Sequence, residues 1–371
     1  MNMKSFRIMP TVEMYDTVAN WMESFRFEAD DFVLISKHVF EHDFKNYAGN
    51  AKIVFRSDYG KGEPNSDMMN ALLKDFLQSG CKRIIAIGGG SVMDMAKILA
   101  VSEKADCLYT FQHPEELQHR YPLILVPTTC GSGSEVSAVS IVEMIEMQTK
   151  LGLQHDTLFA DKAILIPSLL ESISDFFLTT SAVDGLVHAI ESYLSKRSNP
   201  FTRLFQEKAI SLYIQTFKKW IGGCQRSDCY EAFMYASNMA GISFANTGTG
   251  CVHGISYPVS GVYHVTHGLA NSIFLVEVLK MYDELEQRQV LIDLKDILAK
   301  ELECNRDDAF QSLDKMVHQL LEIPTLSSIG MTEEEIVTFS LNVVKNQQRL
   351  MSNGYVNLNE EQIQEVYRRL Y

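Results

Sequence analysis

The stretch IIAIGGGSVMDMAKILA, residues 84–100, decides how the first half of the chain is read. An apolar run rich in β-branched residues ends in Gly88, Gly89, Gly90 and Ser91, and a helical spacing of apolar residues begins at once. The pattern is a buried strand, a turn and a helix in succession. Glycines let backbone amides approach an anion closely, and a helix N-terminus favours negative charge. Ser91 is expected at the N-cap. The loop is neither GxGxxG nor a Walker A sequence, since no Gly-Lys-Ser/Thr follows. It is expected to hold a pyrophosphate, although a plain strand–helix turn would use the same glycines.

Similar apolar runs stand on either side: DFVLIS at 31–36, AKIVFR at 51–56, PLILVP at 122–127 and KAILIP at 162–167. Strands buried on both faces read as continuous apolar runs, and the gaps between these are long enough for crossover helices. Residues 1–170 are therefore expected to form an α/β domain, a parallel sheet with flanking helices. From SLLESISDFFLTTSAVDGLVHAIESYLS (168–195) onward, apolar residues recur at the helical period. Residues 171–371 are expected to be all-helical.

Composition narrows the function classes. The chain has 371 residues, too many for one ordinary core, and a net charge of −14 from 47 acidic and 33 basic residues. Such a field repels phosphate backbones and anionic membranes, so no nucleic-acid partner is expected. No apolar run reaches the roughly 20 residues of a membrane span, and the N-terminal stretch lacks the apolar core of a secretory signal. Seven scattered cysteines without a CxxC pair fit thiols in a reducing cytoplasm.

Two further segments carry chemistry. LILVPTTCGSGSEVS (123–137) is a Gly/Ser/Thr-rich loop after a strand, where ligands of open α/β sheets sit. SAVDGLVHAIESYLS (181–195) puts Asp184 and His188 four residues apart, on one helical face, among apolar neighbours. A buried Asp–His hydrogen bond would suffice to explain that pair. CVHGISYPVSGVYHVTHGLAN (251–271) adds His253, His264 and His267. One carboxylate and several imidazoles form a donor set suited to Fe(II) or Zn(II).

The motifs GGGSxxDxAK (88–97), PTTCGSGSEVS (127–137), DxxxHAIESY (184–193) and HG…YP…YHVTHGLAN (253–271) resemble, in this order, the iron-containing (group III) alcohol dehydrogenases. YGKGEPNSDMMN (59–70), ISYPVSGVYHVTHG (255–268) and QQRLMSNGYVNLNEEQIQEVYRRLY (347–371) extend the resemblance to the branch that interconverts 4-hydroxybutyrate and succinate semialdehyde with NAD(H). The resemblance implies a metal held by Asp184, His188, His253 and His267, with Fe2+ expected and Zn2+ or Mn2+ possible on the same donors. It implies NAD bound through Gly89, Gly90, Ser91 and Asp94, with Thr128 and Thr129 in the second loop, Lys150 near the nicotinamide ribose and Ile141 against the ring. It also implies a homodimer acting on a small hydroxy acid or aldehyde.

Departures from the family pattern bear on the site. Tyr257 stands where many members have a histidine four residues after the third ligand. Lys37 follows the first strand-like run where an aspartate often holds the adenosine ribose, and would tolerate a 2′-phosphate. Glu63 in GEPN replaces the usual asparagine and favours a ribose diol, so NAD is expected over NADP. His264 is expected as a supporting or proton-relay group, and Arg349 as a partner for the substrate carboxylate. The rival readings are a simple primary-alcohol or diol dehydrogenase, a dehydroquinate synthase-like lyase, and a nucleotide-binding scaffold without catalysis. An active site in the interdomain cleft is the corresponding expectation.

Overall fold

Eight strands and fifteen helices organise the residues described in this computed structural model, 5–147 and 149–371. The chain divides into two units: Ile8–Ser174, and Asp175–Tyr371 joined by the N-terminal residues through Arg7.

In the first unit, β1 (Thr11–Met14), β2 (Asp31–Ile35), β3 (Lys52–Phe55), β4 (Arg83–Gly88), β5 (Leu123–Pro127) and β8 (Lys162–Leu165) form a wholly parallel sheet in the order β1-β8-β5-β4-β2-β3. The crossovers include helices α1 (Val18–Ser24), α2 (Lys37–Val39), α3 (Ser66–Ser79), α4 (Gly90–Val101) and α5 (Cys107–Gln112). The continuous apolar runs are explained by two-sided burial. Phe32, Leu34, Ile84, Ala86 and Leu125 pack into one layer, while Val33, Ile35, Ile85, Ile87 and Val126 pack into the other, around Trp21 and Phe44. From β2 the chain steps outward to β3, then back across β2 to β4 and on to β5. The strand order therefore reverses between β2 and β4, and the crevice outside their carboxyl ends is where such sheets take ligands.

Two features differ from the sequence expectation. The edge strand β1 is four residues long with only partial burial, too short to stand out as an apolar run. β6 (Val139–Met144) and β7 (Thr149–Gln154) pair antiparallel outside the main sheet. Burial along β6 alternates, so it gives no continuous signal.

Among its described residues the second unit contains only helices: α6 (Asp175–Leu194), α7 (Pro200–Ile221), α8 (Ser227–Thr247), α9 (Cys251–Tyr263), α10 (His267–Leu285), α11 (Gln289–Leu302), α12 (Ala309–Leu320), α13 (Glu333–Asn346), α14 (Gln348–Asn353) and α15 (Glu360–Leu370), besides one short 3₁₀ turn. α6 is buried on every face beyond its first turn apart from a partly exposed Ser181, and α7, α8 and α10 pack around it. At the start of α7, Asn199 and Thr202 cap each other and Pro200 fills the first helical position, where no amide partner is missed. Phe6 and Arg7 belong to this unit because Phe6 stacks on Phe201 (5.6 Å) and the backbone of Arg7 pairs with the Asn246 amide. Among the described residues, no helix is long and apolar enough to cross a membrane.

Candidate metal centre and nucleotide turn

β4 ends at Gly88, Gly89 takes the N-cap in extended conformation, and α4 starts at Gly90. Ser91 is thus inside the first turn, not at its cap. The glycines leave room for what packs on them. A Cβ on Gly89 would stand 3.2 Å from the Thr129 methyl, and one on Gly90 would stand 3.0 Å from Ser132 Cβ. The amide of Thr128 donates to the Gly88 carbonyl (3.0 Å). The two predicted loops therefore lie side by side, at the carboxyl ends of adjacent strands.

Asp94 braces them. Its carboxylate accepts from Ser134 Oγ (2.6 Å) and from the Ile141 amide (3.0 Å), and its carbonyl accepts from Ser140. Lys97, fully buried, donates to Ser134 Oγ (2.6 Å), Ser137 Oγ (3.2 Å) and the Val139 carbonyl (2.8 Å) and pairs with Asp94. Burial holds its ammonium below the ordinary lysine range, and Asp94 opposes that shift. Lys97 was not among the candidates from sequence, although a lysine among Met95, Ala96, Ile98 and Leu99 visibly interrupts an apolar stretch. Lys150 and Glu63 form an ion pair. Lys37 follows β2, exposed, with its ammonium 5.9 Å from the Phe55 ring centre.

In the helical unit, one ligand atom from each of Asp184, His188, His253 and His267 lies within 4.8 Å of the others. His188 Nε2 and His253 Nε2 are 3.0 Å apart, and Asp184 Oδ1 stands 3.7 Å from His267 Nε2 and 4.0 Å from His253 Nε2. Ligands about 2.0–2.1 Å from a tetrahedral ion are separated by roughly 3.4 Å, which the separations of 3.0–4.0 Å bracket, so this N₃O set could hold a divalent metal. Asp184, His188 and His253 are buried and His267 is half-buried. Burial lowers His188 to about 4, which keeps its imidazole neutral and its lone pair available. Burial alone would raise Asp184, but the three imidazoles and Asn271 hold its carboxyl below the ordinary range.

Supporting groups fix each ligand. Glu191, one turn beyond His188 and buried, accepts from the amides of Gly250 (2.9 Å) and Val252 (2.6 Å) and from His253 Nδ1 (2.6 Å). A carboxylate can only accept here, so Nδ1 carries the hydrogen and Nε2 presents its lone pair to the cluster. Asn271 donates to Asp184 Oδ1 (2.7 Å) and accepts from Ser256 Oγ (2.6 Å). Phe244 stacks on His188 at 4.7 Å. A Cβ on Gly268 would stand 2.4 Å from the Thr180 carbonyl, so only glycine lets α10 approach α6 this closely.

Tyr257 lies one turn beyond His253, its ring centre 6.5 Å from that of His253 and 6.1 Å from that of His267. His264 is not among the four clustered residues; it is exposed and closes α9 in a left-handed conformation (φ 53°). Arg349 is exposed on α14, while Gln347 at the helix N-cap and Leu350 and Met351 within it face Gly254. Its charge is nonetheless among the influences on His253.

Comparison with known proteins agrees with this architecture. Residues 22–167 match the iron-containing alcohol dehydrogenase family, and residues 178–371 match the C-terminal part of the Fe-containing alcohol dehydrogenase family. A 4-hydroxybutyrate dehydrogenase of Clostridium kluyveri is 39% identical over 371 residues, covering all of both chains. The probable alcohol dehydrogenase EutG of Escherichia coli is 31% identical over 273 residues, 73% of this chain and 69% of that one. The fold is shared with a 1,3-propanediol oxidoreductase (TM-score 0.83, 21% identity, all of both chains). It is also shared with a sulfoacetaldehyde reductase from Bifidobacterium kashiwanohense in complex with NAD+ (TM-score 0.85, 19% identity, 99% and 98% covered). On its matched residues, its full-length relative and its shared fold, this chain belongs to the iron-containing alcohol dehydrogenase family.

Proposed function

We propose that this chain is an NAD-dependent dehydrogenase that interconverts 4-hydroxybutyrate and succinate semialdehyde at a divalent metal. The observation that carries the reading is the buried Asp–His₃ cluster in a chain related end to end to a 4-hydroxybutyrate dehydrogenase. Asp184, His188, His253 and His267 would hold the metal, Fe2+ by family expectation, and Zn2+ or Mn2+ suit the same donors. When bound, the metal supplies Lewis-acid polarisation of the substrate oxygen and the nicotinamide gives or takes the hydride.

The protein contributes position and field. Glu191 sets the tautomer of His253, Asn271 orients the Asp184 carboxylate, and Phe244 holds the His188 ring. Tyr257, half-buried beside His253 and His267, is the residue of this cluster best placed to offer a phenolic hydrogen bond or relay a proton. His264 and Arg349 are assigned outer roles, proton relay and recognition of the substrate carboxylate. In the other unit, Gly89, Gly90 and Ser91 open a helix toward a pyrophosphate, and Thr128 and Thr129 lie alongside. Asp94 acts by bracing the loops, with Ile141 hydrogen-bonded to it, and Lys150, assigned to the nicotinamide ribose, is ion-paired with Glu63. The Glu63 carboxylate favours a ribose diol over a phosphate, hence NAD over NADP, against the pull of Lys37.

A homodimer in the cytoplasm completes the reading. Exposed Met14 on edge strand β1 and exposed Ile8 and Met9 just before it offer an apolar surface for a second copy, and none of the seven cysteines is in a disulfide.

The test is NADH formation by the anaerobically Fe(II)-loaded enzyme with 4-hydroxybutyrate, 1,3-propanediol and ethanol side by side. The expected result is the highest kcat/KM for 4-hydroxybutyrate. A higher value for the diol would move the assignment to a diol dehydrogenase.

A further inference from the structure

The turn between α7 and α8, Gly222-Gly223-Cys224-Gln225-Arg226, brings two sulfurs together far from the metal ligands. Cys224 Sγ and Cys229 Sγ are 3.4 Å apart. Cys224 is half-buried in the turn, its amide bonded to the Lys219 carbonyl (3.2 Å). Cys229 is fully buried in the first turn of α8. Phe244, which stacks on His188, lies 15 residues further along α8, about 22 Å along the axis at 1.5 Å per residue. The pair is thus separate from the metal centre.

A disulfide needs its sulfurs near 2.05 Å, so the two must close by about 1.4 Å. The turn can supply that movement. Gly223 has φ +83°, nothing lies within 4 Å of where its Cβ would be, and no side chain caps the start of α8. The two thiols also differ in chemistry. Burial and the neighbouring Cys224 push Cys229 up to about 12, so it stays protonated, whereas Cys224 reaches solvent.

We propose that Cys224 and Cys229 form a redox-active dithiol that a hydroperoxide closes to a disulfide. The Cys224 thiolate attacks the distal oxygen of the hydroperoxide. The O–O bond breaks, the leaving oxygen takes a proton, and Cys224 becomes a sulfenic acid. Cys229 sulfur then attacks Cys224 sulfur. The S–S bond forms, the S–O bond breaks, and hydroxide leaves with the Cys229 proton as water. Two thiols lose two electrons in all, and the peroxide is reduced to an alcohol and water, or to two waters for hydrogen peroxide. A cellular dithiol reverses the step by exchange. The product would staple the end of α7 to the start of α8.

The test is thiol counting on the enzyme as purified, treated with one equivalent of hydrogen peroxide and alkylated in denaturant. Two of the seven thiols should be protected, the unalkylated mass should fall by two hydrogens, and a peptide should link Cys224 to Cys229. After the same treatment, C224S should keep all its remaining thiols alkylatable, and C229S should accumulate a dimedone-reactive sulfenic acid at Cys224. Full alkylation of the treated wild type, a link between another pair, or oxygen addition without the 224–229 link would overturn the proposal.

Discussion

Glu191 Oε2 and His253 Nδ1 are 2.6 Å apart, and the same carboxylate receives the two amides that open α9. One side chain of α6 therefore fixes both the position of a neighbouring helix and the ring state of the ligand that helix carries. Glu191→Gln should keep the fold while weakening metal affinity by about 10–100-fold, the usual effect of losing such a partner. Competition with a chromophoric chelator reads the affinity directly. Unchanged affinity would reduce Glu191 to a helix cap.

Metal removal should separate stability from chemistry. An ion present at a hundred times its dissociation constant stabilises the native state by about 2.7 kcal/mol, which for a unit of this size is roughly 5–10 °C in Tm. Chelation should lower Tm by that amount and abolish NADH formation, with both restored by Fe(II). Asp184→Asn, nearly isosteric, should show the low Tm whether or not metal is added. Calorimetry with and without chelator checks this.

Gly268→Ala places a methyl 2.4 Å from the Thr180 carbonyl and 3.4 Å from Asp184 Cβ. α10 must then shift, at about 1–3 kcal/mol for overpacking, and His267 shifts with it. Both urea stability and metal stoichiometry should fall. A drop in stability alone would mean that His267 tolerates the displacement.

Lys97→Met removes a buried donor and leaves the acceptors on Ser137 and Val139 with less than their full complement. The destabilisation should be about 1–3 kcal/mol. NADH should bind more weakly in a fluorescence titration, while metal content stays at the wild-type level because Lys97 and the ligands belong to different units.

Arg349→Ala should raise KM for 4-hydroxybutyrate by roughly two- to fivefold, the scale of an exposed charge pair, and leave KM for 1-butanol unchanged. Equal effects on both would remove Arg349 from substrate recognition.

Much of this was legible in advance for physical reasons. Parallel strands buried on both faces print as unbroken apolar runs, which is why β2, β4, β5 and β8 stood out, while edge strand β3 stood out by its apolar residues although only Val54 is buried. Asp184 and His188 stood out because a charged and a titratable residue interrupt an apolar helix at one-turn spacing. Glu191 and Asn271 were not legible, because their roles depend on partners 62 and 87 positions away in the chain. Glu191 has the composition of a solvated helical residue, and only its burial reveals otherwise. Ser91 lost the N-cap to Gly89, which takes the extended cap conformation where a Cβ would stand 3.2 Å from the Thr129 methyl.

The helix that runs from Asp175 to Leu194 carries Asp184, His188 and Glu191 yet keeps almost no surface for solvent beyond its first turn. A substitution has little room on such an element, since nearly every change there disturbs close packing. Half-exposed positions such as Tyr257 leave room for a side-chain exchange that the buried helix does not.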